Sequence, residues 1–226
     1  MSKEIRVAIL EDHQSIIDGY LHRLSQTPEI VVVDYIFYGV NLELMLAKHA
    51  IDVLILDIHV PTSAENKNPY PILYSISNLL EKYPALSILV ISMHDQPTLI
   101  SSVMDAGVSG YVLKDDIATI QRLGEVVITI AHGGIYLSKQ AYQQLHRKIP
   151  KNELPSPRQL EILSLSAAYP SATTTELANR LNITNSTARN LFSGAYVRLG
   201  VQNRTEAILK ARRMGLLTPI DELSEV

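Results

Sequence analysis

The run VLILD, Val53 to Asp57, decides the fold. Four apolar residues in succession, with no polar alternation, read as a strand buried on both faces, as in a parallel sheet. Asp57 then stands at the carboxyl end of that strand. Working outward, Ile5–Leu10 and Ile30–Ile36 are strand-like before it, and Leu86–Ser92 and Gly110–Leu113 after it. The intervening segments have helical spacing: His13–Ser25, Leu42–His49, Tyr70–Lys82, Gln96–Ala106 and Ile117–Ala131. Gly107 is a left-handed cap for the fourth of these. The repetition predicts an α/β fold, a doubly wound five-stranded parallel sheet with helices on both faces. Such sheets bind ligands outside the strands' carboxyl ends, where the strand order reverses.

From Ser138 to Pro157 the pattern changes. Ala141, Leu145 and Ile149 mark one face of a short polar helix, and Pro150, Pro155 and Pro157 cluster with Lys148, Lys151 and Asn152 as a linker. Four helices follow: Ser156 to about Ala168, Thr173–Leu181, Thr184–Leu199 and Thr205–Met214, with Gly200 and Gly215 closing the last two. The expected organisation is a domain over 1–132, a linker with a short helix over 133–153, an all-α domain over 154–217 and a tail over 218–226. Charge divides along the same line. Residues 1–138 hold 8 Lys/Arg against 16 Asp/Glu; residues 139–226 hold 12 against 7. The basic part suits a polyanion and the acidic part a cation. With no cysteine, a thiolate metal site and a disulfide framework are excluded. No run of apolar residues is long enough to span a bilayer and no signal-peptide layout opens the chain, so a cytoplasmic protein with no membrane partner is expected.

Polar groups gather at the strand ends. Glu11 and Asp12 follow the first strand, Asp57 the third, Ser92 ends the fourth, and Lys114 follows the fifth. Each has a commoner reading by itself, as a helix cap or surface charge. Together at one sheet edge, three carboxylates would repel unless a hard cation neutralised them, and Mg2+ suits carboxylates, water and phosphate. A carboxylate beside Mg2+, a hydroxyl and an ammonium can attack a phosphoryl group.

ILEDH (9–13), LILDIHVP (54–61), VISMHD (90–95) and GYVLKD (110–115) resemble the response-regulator receiver family, with its flavodoxin-like, CheY-like fold. The resemblance implies that Asp57 accepts a phosphoryl group from a sensor histidine kinase. It implies Mg2+ on Glu11, Asp12, Asp57 and the backbone carbonyl of His59, phosphate contacts from Ser92 and Lys114, and Tyr111 as an aromatic that turns inward on activation. TSAENKNPYP (62–71) departs from the family's short Gly-rich turn, and His59 puts a large side chain beside the acceptor, where it is expected to slow attack by water.

In the basic part, Asn182 allows a tight turn before a helix whose inward stripe is Ala188, Leu191, Ala195 and Leu199. Thr187, Arg189, Asn190, Ser193 and Arg198 then face outward, a polar and cationic surface suited to a DNA major groove. Gly194 inside that helix costs about 1 kcal/mol relative to Ala. LPSPRQLEILSL (154–165), ELANRLNITNSTARN (176–190) and RLGVQNRTEAILKARRMGLL (198–217) resemble the LuxR-type helix-turn-helix family. The two resemblances together imply the NarL/FixJ class: a phosphorylation-controlled transcription regulator, not an enzyme, that binds DNA and pairs as a homodimer. Phosphorylation would change the surface of the fourth and fifth strands and their helices, favouring dimerisation or releasing the DNA-binding domain. Two alternatives stay open: a pseudo-receiver that never takes phosphate, and a hydrolase with a nucleophilic aspartate. A flavin-binding fold is disfavoured, because no phosphate-cradling loop follows the first strand.

Overall fold

The computed structural model describes residues 4–147 and 154–218. Its first part is a parallel sheet of six strands in the order β2-β1-β3-β4-β5-β6. These are β1 (Ile5–Leu10), β2 (Ile30–Ile36), β3 (Val53–Leu56), β4 (Ser87–Ser92), β5 (Gly110–Leu113) and β6 (Tyr136–Leu137). Helices α1 (Gln14–Leu24), α2 (Leu42–Lys48), α3 (Ile72–Lys82), α4 (Pro97–Asp105), α5 (Ile117–Gln121), α6 (Leu123–Ala131) and α7 (Lys139–Leu145) cover it. Strand order reverses between β1 and β3, so the crevice lies beyond Leu10 and Leu56.

The alternation of β3 explains its uniform apolarity. Leu54 and Leu56 enter a core shared with α2, α3 and α4; Val53 and Ile55 enter a second core with α1 and α6. All four are buried. On α3, Ile72, Leu73, Ile76 and Leu79 recur at helical spacing and are buried on the first core.

The sheet corrects the expected strand count of five. Tyr136 donates its N–H to the Ser109 carbonyl at 3.0 Å, and Ser138 to the Tyr111 carbonyl at 3.0 Å, adding β6 beside β5. Two residues are too short for period-two alternation to show in sequence. Gly110 permits the approach: a Cβ there would lie 2.7 Å from the Tyr136 carbonyl oxygen and 2.9 Å from Ile130 Cδ1. Gly110→Ala is therefore expected to destabilise the chain by about 1–3 kcal/mol, the usual range for overpacking, as measured by urea unfolding. The following helix, α7, packs on α4 and β5 through the buried Ala141. Residues 136–145, within the expected 133–153 linker with its short helix, thus pack on the sheet; residues 148–153 lie outside the described residues, as does the tail beyond Thr218.

The 62–71 segment folds as a turn without glycine. An antiparallel bridge joins Pro61 and Pro69, and Thr62 donates from N and Oγ1 to the Asn68 carbonyl at 2.9 and 2.8 Å. Asn66 Oδ1 accepts from Asn68 N and Nδ2 at 3.1 and 2.8 Å. Asn and Ser side chains supply the turn bonds, so no left-handed residue is needed.

The remaining helices are α8 (Pro157–Ala168), α9 (Thr174–Arg180), α10 (Asn185–Leu199) and α11 (Arg204–Arg213), around a third core. Capping boxes start α8 (Ser156 with Gln159) and α9 (Thr173 with Glu176), and Thr184 and Asn203 cap α10 and α11. Asn182 takes φ 53° in the turn between α9 and α10. Phe192, absent from the expected inward stripe, is buried, while Leu191 is half-buried. Gly194 lies against α8: a Cβ there would lie 2.3 Å from Nε2 of Gln159, the residue that closes the α8 capping box. Hydrogen bonds tie this part to the first, among them Asn66 Nδ2 to the Ala168 carbonyl and Tyr74 Oη to the Arg180 carbonyl, both 2.8 Å.

Candidate functional site

The crevice at the strand-order reversal is acidic and largely closed to water. Glu11 is 1% exposed and Asp57 5%. Lys114, delivered by the end of β5, sits between them: Nζ donates to Glu11 Oε2 at 2.6 Å and to Asp57 Oδ2 at 2.7 Å. Asp57 Oδ1 accepts from the His59 backbone N–H at 3.1 Å. Ser92 is fully buried at the end of β4; its hydroxyl accepts from the His94 N–H at 3.3 Å, and its carbonyl from the Lys114 N–H at 2.9 Å. Parallel strands feeding one rim bring these side chains together from positions 11, 57, 92 and 114.

The electrostatics follow from burial. Desolvation, reinforced by the Asp57 charge, holds the Glu11 carboxyl above its ordinary range, with Lys114 pulling the other way. Burial alone would lower Lys114, but the charges of Asp57 and Glu11 outweigh it and hold its ammonium up. Lys114 therefore stays charged at neutral pH and acts as the counter-ion of two carboxylates.

Glu11, Asp12 and His13 place one ligand atom each within 4.8 Å of one another. His13 was not among the expected ligands, although it is the last residue of the ILEDH run; its Nδ1 lies 2.8 Å from Asp12 Oδ1 and 3.2 Å from Glu11 Oε1. Asp57 joins this group through Lys114. Carboxylate oxygens at the rim are donors suited to a hard divalent cation, so the residues fit Mg2+. Bound there on Glu11, Asp12 and Asp57, it would offset their charge and hold phosphate oxygens.

Tyr111 is already inside. It is fully buried, and its phenol donates to the His94 carbonyl at 2.6 Å. Burial raises its pKa, with a hydrogen bond to Ser92 opposing. An inward turn from an exposed position is thus not available to Tyr111 in this conformation. The His59 ring stands edge-on to that of His94, centroids 5.6 Å apart.

On α10, Thr187, Arg189, Asn190 and Ser193 are exposed. Arg198 is set apart from them. Its guanidinium donates to the Leu154 carbonyl at 2.9 Å and lines a cleft of about 420 Å³ with Ser101, Ser102 and Asp105. Among the described residues no helix is long and apolar enough to cross a membrane.

No family model matches the chain. Curated relatives run along nearly all of it. The transcriptional regulatory protein DegU of Brevibacillus brevis is 26% identical, covering 94% of this chain and 94% of its own. The transcriptional regulatory protein RcsB of Escherichia coli K12 is 28% identical, covering 96% and 98%. Among solved structures, RcsB of Salmonella enterica serovar Typhimurium, bound to promoter rprA with the phosphomimetic BeF3−, superposes with a TM-score of 0.64 at 26% identity, over 92% of this chain and 98% of that one. The likeness is to regulators and not to enzymes, which removes the hydrolase alternative.

Proposed function

We propose that this chain, a response regulator of the NarL/FixJ class by its relatives and its architecture, accepts a phosphoryl group on Asp57 from a sensor histidine kinase and uses it to control sequence-specific DNA binding. The observation that carries this reading is the Lys114 ammonium held between Glu11 and Asp57 in the crevice where strand order reverses. That arrangement supplies a buried carboxylate for attack, an adjacent cation for the phosphate oxygens, the Ser92 hydroxyl and a carboxylate seat for Mg2+. Phosphorylation adds charge and acceptor oxygens beside Ser92. The DNA-binding surface is the face of α10 with Thr187, Arg189, Asn190 and Ser193. Paired chains would read two half-sites. Random-sequence DNA selection with and without acetyl phosphate tests this; absence of any enriched site would overturn it.

The cations of 154–218 give a second, quantitative expectation. Arg158 is paired with Glu161, Arg180 lies over the Tyr169 ring, Arg198 holds Leu154, and Arg204 bonds Ala172 and Thr174. Arg212 is half-buried. Arg189, Lys210 and Arg213 are exposed and make none of these contacts. With a slope of about −0.9 per phosphate neutralised, a bound pair should show log K falling with log salt at about −5. Arg189→Ala should flatten that slope by about 2 for the pair and reduce discrimination between sites, as read by fluorescence anisotropy across a salt series. A slope near −10 would mean that the tied arginines are released to bind DNA.

A further inference from the structure

β1 ends at Leu10, and the residues after it turn back on themselves. In a continuing strand, Glu11, Asp12 and His13 would point to alternate faces. Here the His13 N–H donates to Glu11 Oε1 at 3.1 Å, and one ligand atom from each of the three side chains reaches a common point. His13 occupies the N-cap of α1, yet its side chain caps nothing. The ring turns to the carboxylates instead, with Nδ1 2.8 Å from Asp12 Oδ1 and 3.2 Å from Glu11 Oε1. The two oxygens of Glu11 divide their partners: Oε2 takes Lys114, and Oε1 faces His13. Asp12 Oδ1 is closed to water and accepts no hydrogen bond among the described residues.

We infer that His13 Nδ1 is a ligand of the cation at this rim, and that the site therefore favours a divalent first-row transition ion over Mg2+. The inference rests on the carboxylate seat proposed above and adds a nitrogen donor to it. The spacing suits the assignment. Ligand atoms at adjacent corners of an octahedron with bonds of about 2.1 Å stand about 3.0 Å apart. The two distances from Nδ1 fall on either side of that value. Mg2+ takes oxygen donors, whereas imidazole suits iron, nickel and zinc. A ring nitrogen in the set thus adds affinity for the transition ions and little for Mg2+. The His13 side chain is 65% exposed, so Nε2 can carry the ring proton toward water and leave Nδ1 free to bind.

The test uses the untagged full chain, as wild type and His13→Asn. Asparagine is a favourable N-cap, so α1 keeps its start. Titration calorimetry with Ni2+ and with Mg2+ reports affinity, and pulsed electron paramagnetic resonance on the Mn2+-loaded chain reports nitrogen at the ion. His13→Asn should weaken Ni2+ binding by about tenfold or more and leave Mg2+ within about twofold. The wild type should show a nitrogen coupling to Mn2+ that the variant lacks. If the variant binds Ni2+ as tightly as the wild type, or loses Mg2+ by the same factor, His13 is no nitrogen ligand; the inference is overturned and the carboxylate seat stands. If the wild type binds none of the three ions, both fall together.

Discussion

Asp57→Asn is expected to leave the chain unable to take a phosphoryl group from acetyl phosphate and Mg2+, a fall of at least about a thousandfold in the rate of adduct formation. The amide keeps the shape of the side chain and can still accept from the His59 N–H, which holds Oδ1 at 3.1 Å. What it loses is the carboxylate nucleophile and the charge that faces Lys114 at 2.7 Å. The fold should survive, because Lys114 retains Glu11 at 2.6 Å. Intact-mass measurement of the adduct checks the prediction. A full-size adduct on the variant would move the acceptor to another residue.

The second large effect concerns Lys114. Lys114→Met removes the cation shared by two buried carboxylates and leaves Glu11, 1% exposed, beside Asp57 without a counter-ion. Breaking a buried pair in this way costs about 3–5 kcal/mol at neutral pH. The pH dependence has a definite sign. Glu11 is already raised above its ordinary value with Lys114 present, by burial and then by Asp57. Without the ammonium it must rise further. A folded chain that holds this proton more tightly than the unfolded chain gains stability as pH falls through the folded pKa toward the unfolded one, and loses it on the way up. The gap between variant and wild type should therefore be widest near neutrality and narrow as Glu11 protonates. Mg2+ should narrow it at neutral pH by replacing the missing cation. Urea melts at several pH values, with and without Mg2+, measure both effects. A gap independent of pH and Mg2+ would mean that Lys114 contributes through packing alone.

The crevice was legible in sequence because parallel strands put every carboxyl end on one rim. Once IRVAIL, VLILD and the two later strands are recognised, Glu11, Asp57, Ser92 and Lys114 have nowhere else to gather. Contacts that depend on a second element approaching were not legible. β6 has two residues, and its seat is Gly110, whose missing Cβ leaves no pattern. Phe192, rather than Leu191, is the buried neighbour of Ala188 and Ala195, because spacings of four and three along α10 pass through it, a choice that the apolar pattern leaves open. Arg198 is exposed, as its place on the helix implies, but its partner, the Leu154 carbonyl, is forty-four residues away and carries no side-chain signature. Gly194 illustrates the same limit, since its helix cost can be read from the chain but the Gln159 amide that lies against it cannot.

With β6 hydrogen-bonded along β5 and α7 laid over β5 and α4, the far margin of the sheet has little unpaired backbone to offer. The opposite margin, β2, keeps one side open, and Tyr35 on it is exposed. A second copy joining by continuation of the sheet would come in along β2, whereas α7 already covers part of β5 and α4.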